Sequence, residues 1–152
     1  MAARDWAMLR DTPEDIVIED GHSITLSDTT LQFYLTPGHT RGVVSIEFNV
    51  WDGDQSYKAF LFGGTGLNFS GVDRTEKYMN SVERVQAMEG IEVNITNHPG
   101  QAEIFERAER LDDRAQSSPH PFVAPDDLTA WIRELRMNAE AKPIEERSAG
   151  AL

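Results

Sequence analysis

The chain has no cysteine. That rules out disulfides and thiolate metal sites, and leaves histidine and carboxylate side chains as the strong metal ligands. No apolar run approaches the roughly 18 residues that a membrane-spanning helix needs. Basic residues are few: 14 Lys and Arg stand against 26 Asp and Glu, a formal net charge of −12. A surface this negative repels phosphate backbones and anionic lipid, so neither nucleic acid nor a membrane is expected as a partner. The first ten residues carry charges and no apolar core segment, so no secretory signal is read there. A genuine start at Met1 would imply a cytoplasmic protein. No Gly-X-Ser-X-Gly elbow and no solenoid repeat occurs.

What is present suits one globular domain of 152 residues, with 39% apolar and 26% charged residues. A chain of this length buries about 70% of its unfolded surface. The first half reads as short strands over residues 16–18, 23–26 and 31–35, divided by turn-forming residues. A longer strand over 43–51 sets Val44, Ile46, Phe48 and Val50 on one face. Asp52-Gly53-Asp54 then turns the chain into a partner strand over 57–62. The second half is helical. Apolar residues at helical spacing predict helices over 73–88, 101–116 and 126–139, with a short strand over 91–96 between the first two. Gly90 is expected to close the first helix, and Asp126 to cap the third. The second is expected to bury Ile104, Phe105, Ala108, Leu111 and Ala115. Residues 1–141 form the expected domain, and 142–152 a polar, frayed tail. The order is a β meander followed by helix, strand, helix and helix, which makes a layered α/β domain.

Two of the four histidines follow strand ends, where rigid sheets commonly mount ligands and catalytic groups. His39 lies in Thr36-Pro37-Gly38-His39-Thr40, and His98 in Thr96-Asn97-His98-Pro99-Gly100. An isolated histidine of this kind more often bonds a carbonyl in a turn than a metal. His22 and His120 sit in polar turns and read as solvated. Gly63-Gly64-Thr65-Gly66 does not lead directly into a helix and no lysine follows. It reads as a tight turn closing over a site, not as a phosphate cradle.

The Pro-Gly-His-Thr loop resembles the loop in which the metallo-β-lactamase superfamily carries a zinc-binding histidine. Its surroundings agree in order along nearly the whole chain. Asp20-Gly21 and Thr29-Thr30-Leu31 resemble the hairpin that leads into that loop, and Gly63 to Asn68 the segment that faces the metals. Asn97-His98-Pro99 resembles the late histidine, and Pro121-Phe122-Val123 the approach to the final helix. The resemblance implies the C-terminal half of an αββα sandwich, one mixed sheet layer with flanking helices. It implies a zinc-dependent hydrolase of a small-molecule ester, amide or lactam, acting through a zinc-bound hydroxide. His39 and His98 would be metal ligands, and Thr65 and Asn68 would orient water or substrate.

Two departures qualify this. The middle segment Gly64-Thr65-Gly66 has no carboxylate to bridge two metals, which resembles the lactamase subclass without a bridging Asp or Cys. The signature His-X-His-X-Asp-His, which supplies the other ligands, occurs nowhere in the chain. A catalytic zinc takes about three protein ligands and an open position, and this sequence offers one histidine to each of one or two ions. The expectation is therefore a half enzyme, inactive alone and binding zinc weakly or not at all, with Met1 an internal methionine of a longer parent. The sheet face that meets the N-terminal half would be bare, with Phe33, Leu35, Ile46 and Phe48 as its candidates. Such a face predicts pairing with an N-terminal half or a homo-oligomer. A non-catalytic module or pseudoenzyme that pairs with another chain is the alternative. A third reading is a monometal or metal-free enzyme built on His39 and nearby carboxylates, with Asp73, in the loop after Gly71, as the nearest candidate if the fold brings it close.

Overall fold

The computed structural model describes residues 16–98, 100–115 and 117–142. Five strands form one sheet in the order β1 (Ser23–Leu26), β2 (Thr29–Leu35), β3 (Val44–Asp52), β4 (Gln55–Leu61) and β5 (Val93–Ile95). The first four make an antiparallel meander, and β5 lies parallel to β4. Two-residue turns join β1 to β2 and β3 to β4, and a longer loop over 36–43 joins β2 to β3. Gly53 takes φ 60° in the β3–β4 turn, and Ser27 takes φ 58° in the β1–β2 turn, the left-handed conformations such tight hairpins require. The parallel step from β4 to β5 needs a crossover, which is α1 (Val72–Gln86). After β5 come α2 (Ile104–Asp112) and α3 (Asp127–Glu140).

The pairing register sorts the side chains onto two faces. Tyr34, Phe60 and Asn94 share one face with the helices. There Phe60, Phe62, Tyr78, Val82, Val85, Ile132 and Leu135 form the core with Ile91, Leu128 and Ala139. Phe62 meets Tyr78 and Trp131 edge-on, with ring centroids 6.5 and 6.4 Å apart. Each such buried side chain contributes about 1.5–3 kcal/mol, so the sheet is held chiefly from this side.

The opposite face carries Leu31, Phe33 and Leu35 from β2, Val44, Ile46, Phe48 and Val50 from β3, Tyr57, Ala59 and Leu61 from β4, and Val93 and Ile95 from β5. It holds no charged residue over this span. Leu35 is 37% exposed, Ile46 and Phe48 are half-buried, and Phe33 is buried by its neighbours. At the β5 edge α2 starts beside the sheet. Ile104 joins Val50, Tyr57, Val93, Ile95 and Phe122 around an apolar cavity of about 260 Å³, while Arg107 turns towards the helical side and pairs with Asp127 at 2.9 Å.

Several expectations need correction. Residues 16–18 are not a strand; Ile16 and Val17 are exposed. The second helix runs over 104–112 instead of 101–116, because Ala102 and Glu103 take left-handed φ of 54° and 52° before it. Its C-terminal acids Asp112 and Asp113 oppose the helix dipole at the other end. Phe105 and Ala108 point outward, and the buried residue is the ion-paired Arg107. Asp126 precedes α3 but makes no side-chain capping bond. The first helix ends at Gln86, before Gly90. Lys142, expected to open a frayed tail, is buried with 7% exposure. The remainder of that tail, and Met1, lie outside the described residues.

Candidate functional site

The loops after β2, β4 and β5 leave the same end of the sheet, because β2 and β4 run alike between antiparallel neighbours and β5 parallels β4. These loops carry His39, the segment from Gly63 to Phe69, and His98.

The His39 loop is built on backbone accounting. Thr36 and Ser45 are buried and share a hydroxyl hydrogen bond of 2.7 Å, and Ser45 Oγ also accepts the Gly63 amide at 3.1 Å. This one pair ties the two loops together at their roots. Pro37 is anchored by the Ser81 hydroxyl of α1, which donates to its carbonyl at 2.7 Å. Gly38 backs directly onto α1: with φ 143°, a Cβ there would sit 2.4 Å from Tyr78 Cα. Only glycine fits that approach.

His39 is half-buried, and its Nδ1 lies 2.9 Å from the carbonyl oxygen of Gly66. A carbonyl only accepts, so Nδ1 carries the proton, and in the neutral imidazole Nε2 keeps its lone pair. Nε2 has no hydrogen-bond partner among the described residues. The glycines of Gly63-Gly64-Thr65-Gly66 serve this arrangement. A Cβ on Gly63 would lie 2.1 Å from the Val44 carbonyl, one on Gly64 3.3 Å from His39 Cβ, and one on Gly66 3.0 Å from His39 Cε1. The segment is thus a close-approach stretch with a single bend at Gly63, not the tight turn expected.

Asn68 is exposed, and its Oδ1 comes to the same side of Gly66 as the His39 ring. Thr65 is 4% exposed. Its carbonyl accepts the Tyr78 hydroxyl at 3.3 Å, and its own Oγ1 is buried without a partner. Burial raises the pKa of the Tyr78 phenol, which keeps it protonated as a donor. His98 is exposed beyond β5, and its amide donates to Thr96 Oγ1 at 3.1 Å. The structure thus brings His39, Gly66 and Asn68 together, and sets His98 on the same end of the sheet.

Asp73 does not orient His39. Its carboxylate is paired with Lys77 at 2.8 Å, one turn along α1. The orienting acceptor is the main-chain carbonyl of Gly66, which no search for acidic side chains would find. His22 and His120, expected to be solvated, are both half-buried; His120 lines the apolar cavity and its Nδ1 accepts the Phe122 amide at 3.2 Å. Sequence reasoning also missed Arg74 and Lys142, whose side chains bond main-chain carbonyls of the two loops around His39. A charged residue in a helix or a polar tail carries no pattern that marks such a role.

Zinc is the ion that the resemblance implies, and the geometry tests it. A metal-binding imidazole commonly donates its second nitrogen to a carbonyl or carboxylate, and His39 does so. On that observation His39 fits a zinc ion. Among the described residues no three His, Asp or Glu side chains cluster closely enough to hold a metal.

No protein-family model matches the sequence, and no curated protein matches it. Solved structures do. The subclass B3 metallo-β-lactamase of Bradyrhizobium japonicum superposes with a TM-score of 0.76 at 23% identity, over 87% of this chain and 51% of that one. The fold is that of the metallo-β-lactamases. The native metallo-β-lactamase of Legionella gormanii gives a TM-score of 0.74 at 24% identity, over 88% of this chain and 52% of its own. A metallo-β-lactamase of Cronobacter sakazakii gives 0.70 at 19%, over 83% and 49%. The chain therefore spans about half the length of the metallo-β-lactamase structures it matches. The mixed five-stranded sheet with three helices is a fragment of that fold. No helix among the described residues is long and apolar enough to cross a membrane.

Proposed function

We propose that this chain is the C-terminal half of a zinc-dependent hydrolase, carrying His39 as a ligand of one metal position and His98 of another. A second half with the His-X-His-X-Asp-His ligands would complete the site. The observation that carries this reading is the His39–Gly66 hydrogen bond, which commits Nδ1 and leaves Nε2 for a metal. A bound zinc ion would acidify water and polarise a carbonyl, the chemistry of ester, amide or lactam hydrolysis. The chain's own residues hold and orient: the Gly66 carbonyl accepts the Nδ1–H hydrogen bond, and Asn68, exposed beside it, would bind substrate or water. Thr65 offers a buried, unpaired hydroxyl to the same end. The substrate is a small molecule that this end of the sheet admits, and the half alone is inactive.

The apolar sheet face, where Leu35 is exposed and Ile46 and Phe48 are half-buried, supports the same reading, since in a two-sheet sandwich such a face is covered by a second sheet. It equally supports the alternative, a non-catalytic module that pairs with another chain or with its own copy.

Zinc stoichiometry separates the two. The purified chain, and His39→Ala and His98→Ala variants, are titrated with zinc alone and with a separately expressed polypeptide carrying the missing motif. The hydrolase reading expects weak binding by the chain, tight binding of one or two ions by the mixture, and loss of one ion's affinity in each variant. A mixture that binds the partner polypeptide but gains no histidine-dependent zinc leaves the non-catalytic module as the function.

A further inference from the structure

Lys142 is a lysine buried to 7% exposure with no carboxylate partner among the described residues. Lysine is almost never buried so fully unless paired, because the ammonium gives up its hydration. A Met or Leu would fill the space at less cost, so the charge calls for a reason. The ammonium donates to two main-chain carbonyls, Leu67 at 2.8 Å and Phe69, and stands 4.1 Å from the centroid of the Phe69 ring. The second cation near this ring is Arg74, in the first turn of α1. Its guanidinium lies 5.2 Å from the ring centroid and donates to the carbonyls of Gly38, at 3.3 Å, and of His39. Phe69 itself is 6% exposed.

Both loops around His39 are therefore fastened in the same way. One cation holds carbonyls of the loop that carries the imidazole. The other holds carbonyls of the loop that carries its acceptor, Gly66. The two cations meet on one aromatic ring, whose face attracts positive charge. Residues 62–71 contain no helix or strand, so no secondary-structure ladder fixes the Gly66 carbonyl; its place depends on anchors to either side. We propose that Arg74, Phe69 and Lys142 form a clamp that fixes the tautomer and direction of His39, presenting Nε2 as a preformed ligand. The three are positioning residues: they act on His39 through the backbone of its two loops. The inference rests on the reading of His39 as a ligand, and adds to it the device that holds the ligand ready in the absence of metal.

The test is made without metal, on the full chain labelled with ¹⁵N. Long-range proton–nitrogen spectra at pH 8, where imidazole is neutral, report which His39 nitrogen bears the proton. In the wild type the Nδ1–H form is expected to exceed the Nε2–H form by about fivefold or more, the ratio one ordinary hydrogen bond sustains. Lys142→Gln and Arg74→Gln are each expected to bring the two forms near parity, and Lys142→Arg to restore most of the bias. Ile132→Val, a core change in α3, is the control for general loosening and is expected to leave the ratio unchanged. If Lys142→Gln does not fold, Arg74→Gln and Phe69→Leu carry the same comparison. An unchanged ratio in a folded clamp variant overturns the proposal, as does an equal change in Ile132→Val. Failure of the ligand reading shows elsewhere, as zinc binding that survives His39→Ala in the completed mixture.

Discussion

The imidazole of His39 and the backbone of Gly66 occupy adjoining space: Nδ1 donates to the carbonyl at 2.9 Å, and a Cβ on Gly66 would lie 3.0 Å from Cε1 and 3.1 Å from Nδ1. The residue is a glycine for the ring's sake. Gly66→Ala is therefore expected to push the ring aside and weaken the hydrogen bond, at a cost of about 1 kcal/mol in stability. In the completed mixture it should lower cobalt(II) or zinc affinity by about tenfold, as loss of a ligand-orienting group does. A thermal melt and a cobalt titration check both parts. Full metal affinity in a folded Gly66→Ala chain would mean that the ring does not need this bond.

Gly38 makes a harder demand. Its Cβ would fall 2.4 Å from Tyr78 Cα and 2.6 Å from the Tyr78 amide nitrogen. These are helix backbone atoms in the middle of α1, which have no rotamer by which to move away. The φ of 143° also disfavours a side chain there. Gly38→Ala is expected to destabilise the chain by about 2 kcal/mol or more, read as a lowered urea midpoint with an unchanged slope. Gly21, with nothing within 4 Å of its Cβ position, is the comparison: Gly21→Ala feels only its own φ and should cost about half as much.

This difference between two glycines also shows what the sequence could and could not convey. The strand meander, the Asp-Gly hairpin and the order of helices followed from side-chain periodicity, which acts locally. The Pro-Gly-His-Thr loop and the glycine segment were legible as a pair because their residue types are restrictive. What holds them was not legible. The acceptor for His39 is a backbone carbonyl 27 residues away, identical in formula at every position. Lys142 reads as the start of a polar tail, yet its ammonium reaches 75 residues back to Leu67. The second helix failed at its start for a local reason, left-handed residues at 102 and 103, that Ala and Glu do not announce. Phe105, expected to be buried, is exposed, and Arg107 is buried in an ion pair with Asp127, a partner 20 residues on that helical spacing does not mark.

Asp20 ties the segment before β1 to α1. Its carboxylate accepts from Arg84 Nη1 at 2.7 Å and Nη2 at 3.0 Å, and from the Leu35 amide at 2.8 Å. The Arg84 hydrogen bonds, and after them the Leu35 amide, lower its pKa below the ordinary 3.8. A lowered carboxylate pKa stabilises the fold fully above the unfolded-state value and loses that contribution as pH falls through the folded-state value. Asp20→Asn is accordingly expected to lower stability at pH 7 by about 0.5–1 kcal/mol, the range for a solvent-screened pair. The deficit should shrink progressively once the pH drops below 3.8, and at pH 7 it should shrink with added salt. Urea unfolding of both proteins across that range measures it. A deficit that stays constant into acid would show that the charge of Asp20 is not what matters.

The apolar sheet face makes the last prediction. Leu35, Ile46 and Phe48 lie together on the side of the sheet away from α1 and α3, and Leu35 alone is 37% exposed. Contiguous apolar surface beyond a few hundred Å² is uncommon on a monomer and drives association. The isolated chain is thus expected to self-associate at micromolar concentration and to bind an apolar dye. Phe48→Lys sets a charge at the middle of the face and should weaken association by about tenfold or more, the effect of an unpaired charge in an apolar interface. Met137→Lys is the control, because Met137 is 62% exposed on α3 and lies off this face. Light scattering across a dilution series distinguishes the two variants. Equal effects would attribute association to general stickiness of an exposed hydrophobe. A selective effect of Phe48→Lys would locate it on the sheet, the face a second half must cover if His39 and His98 are to gain their missing ligands.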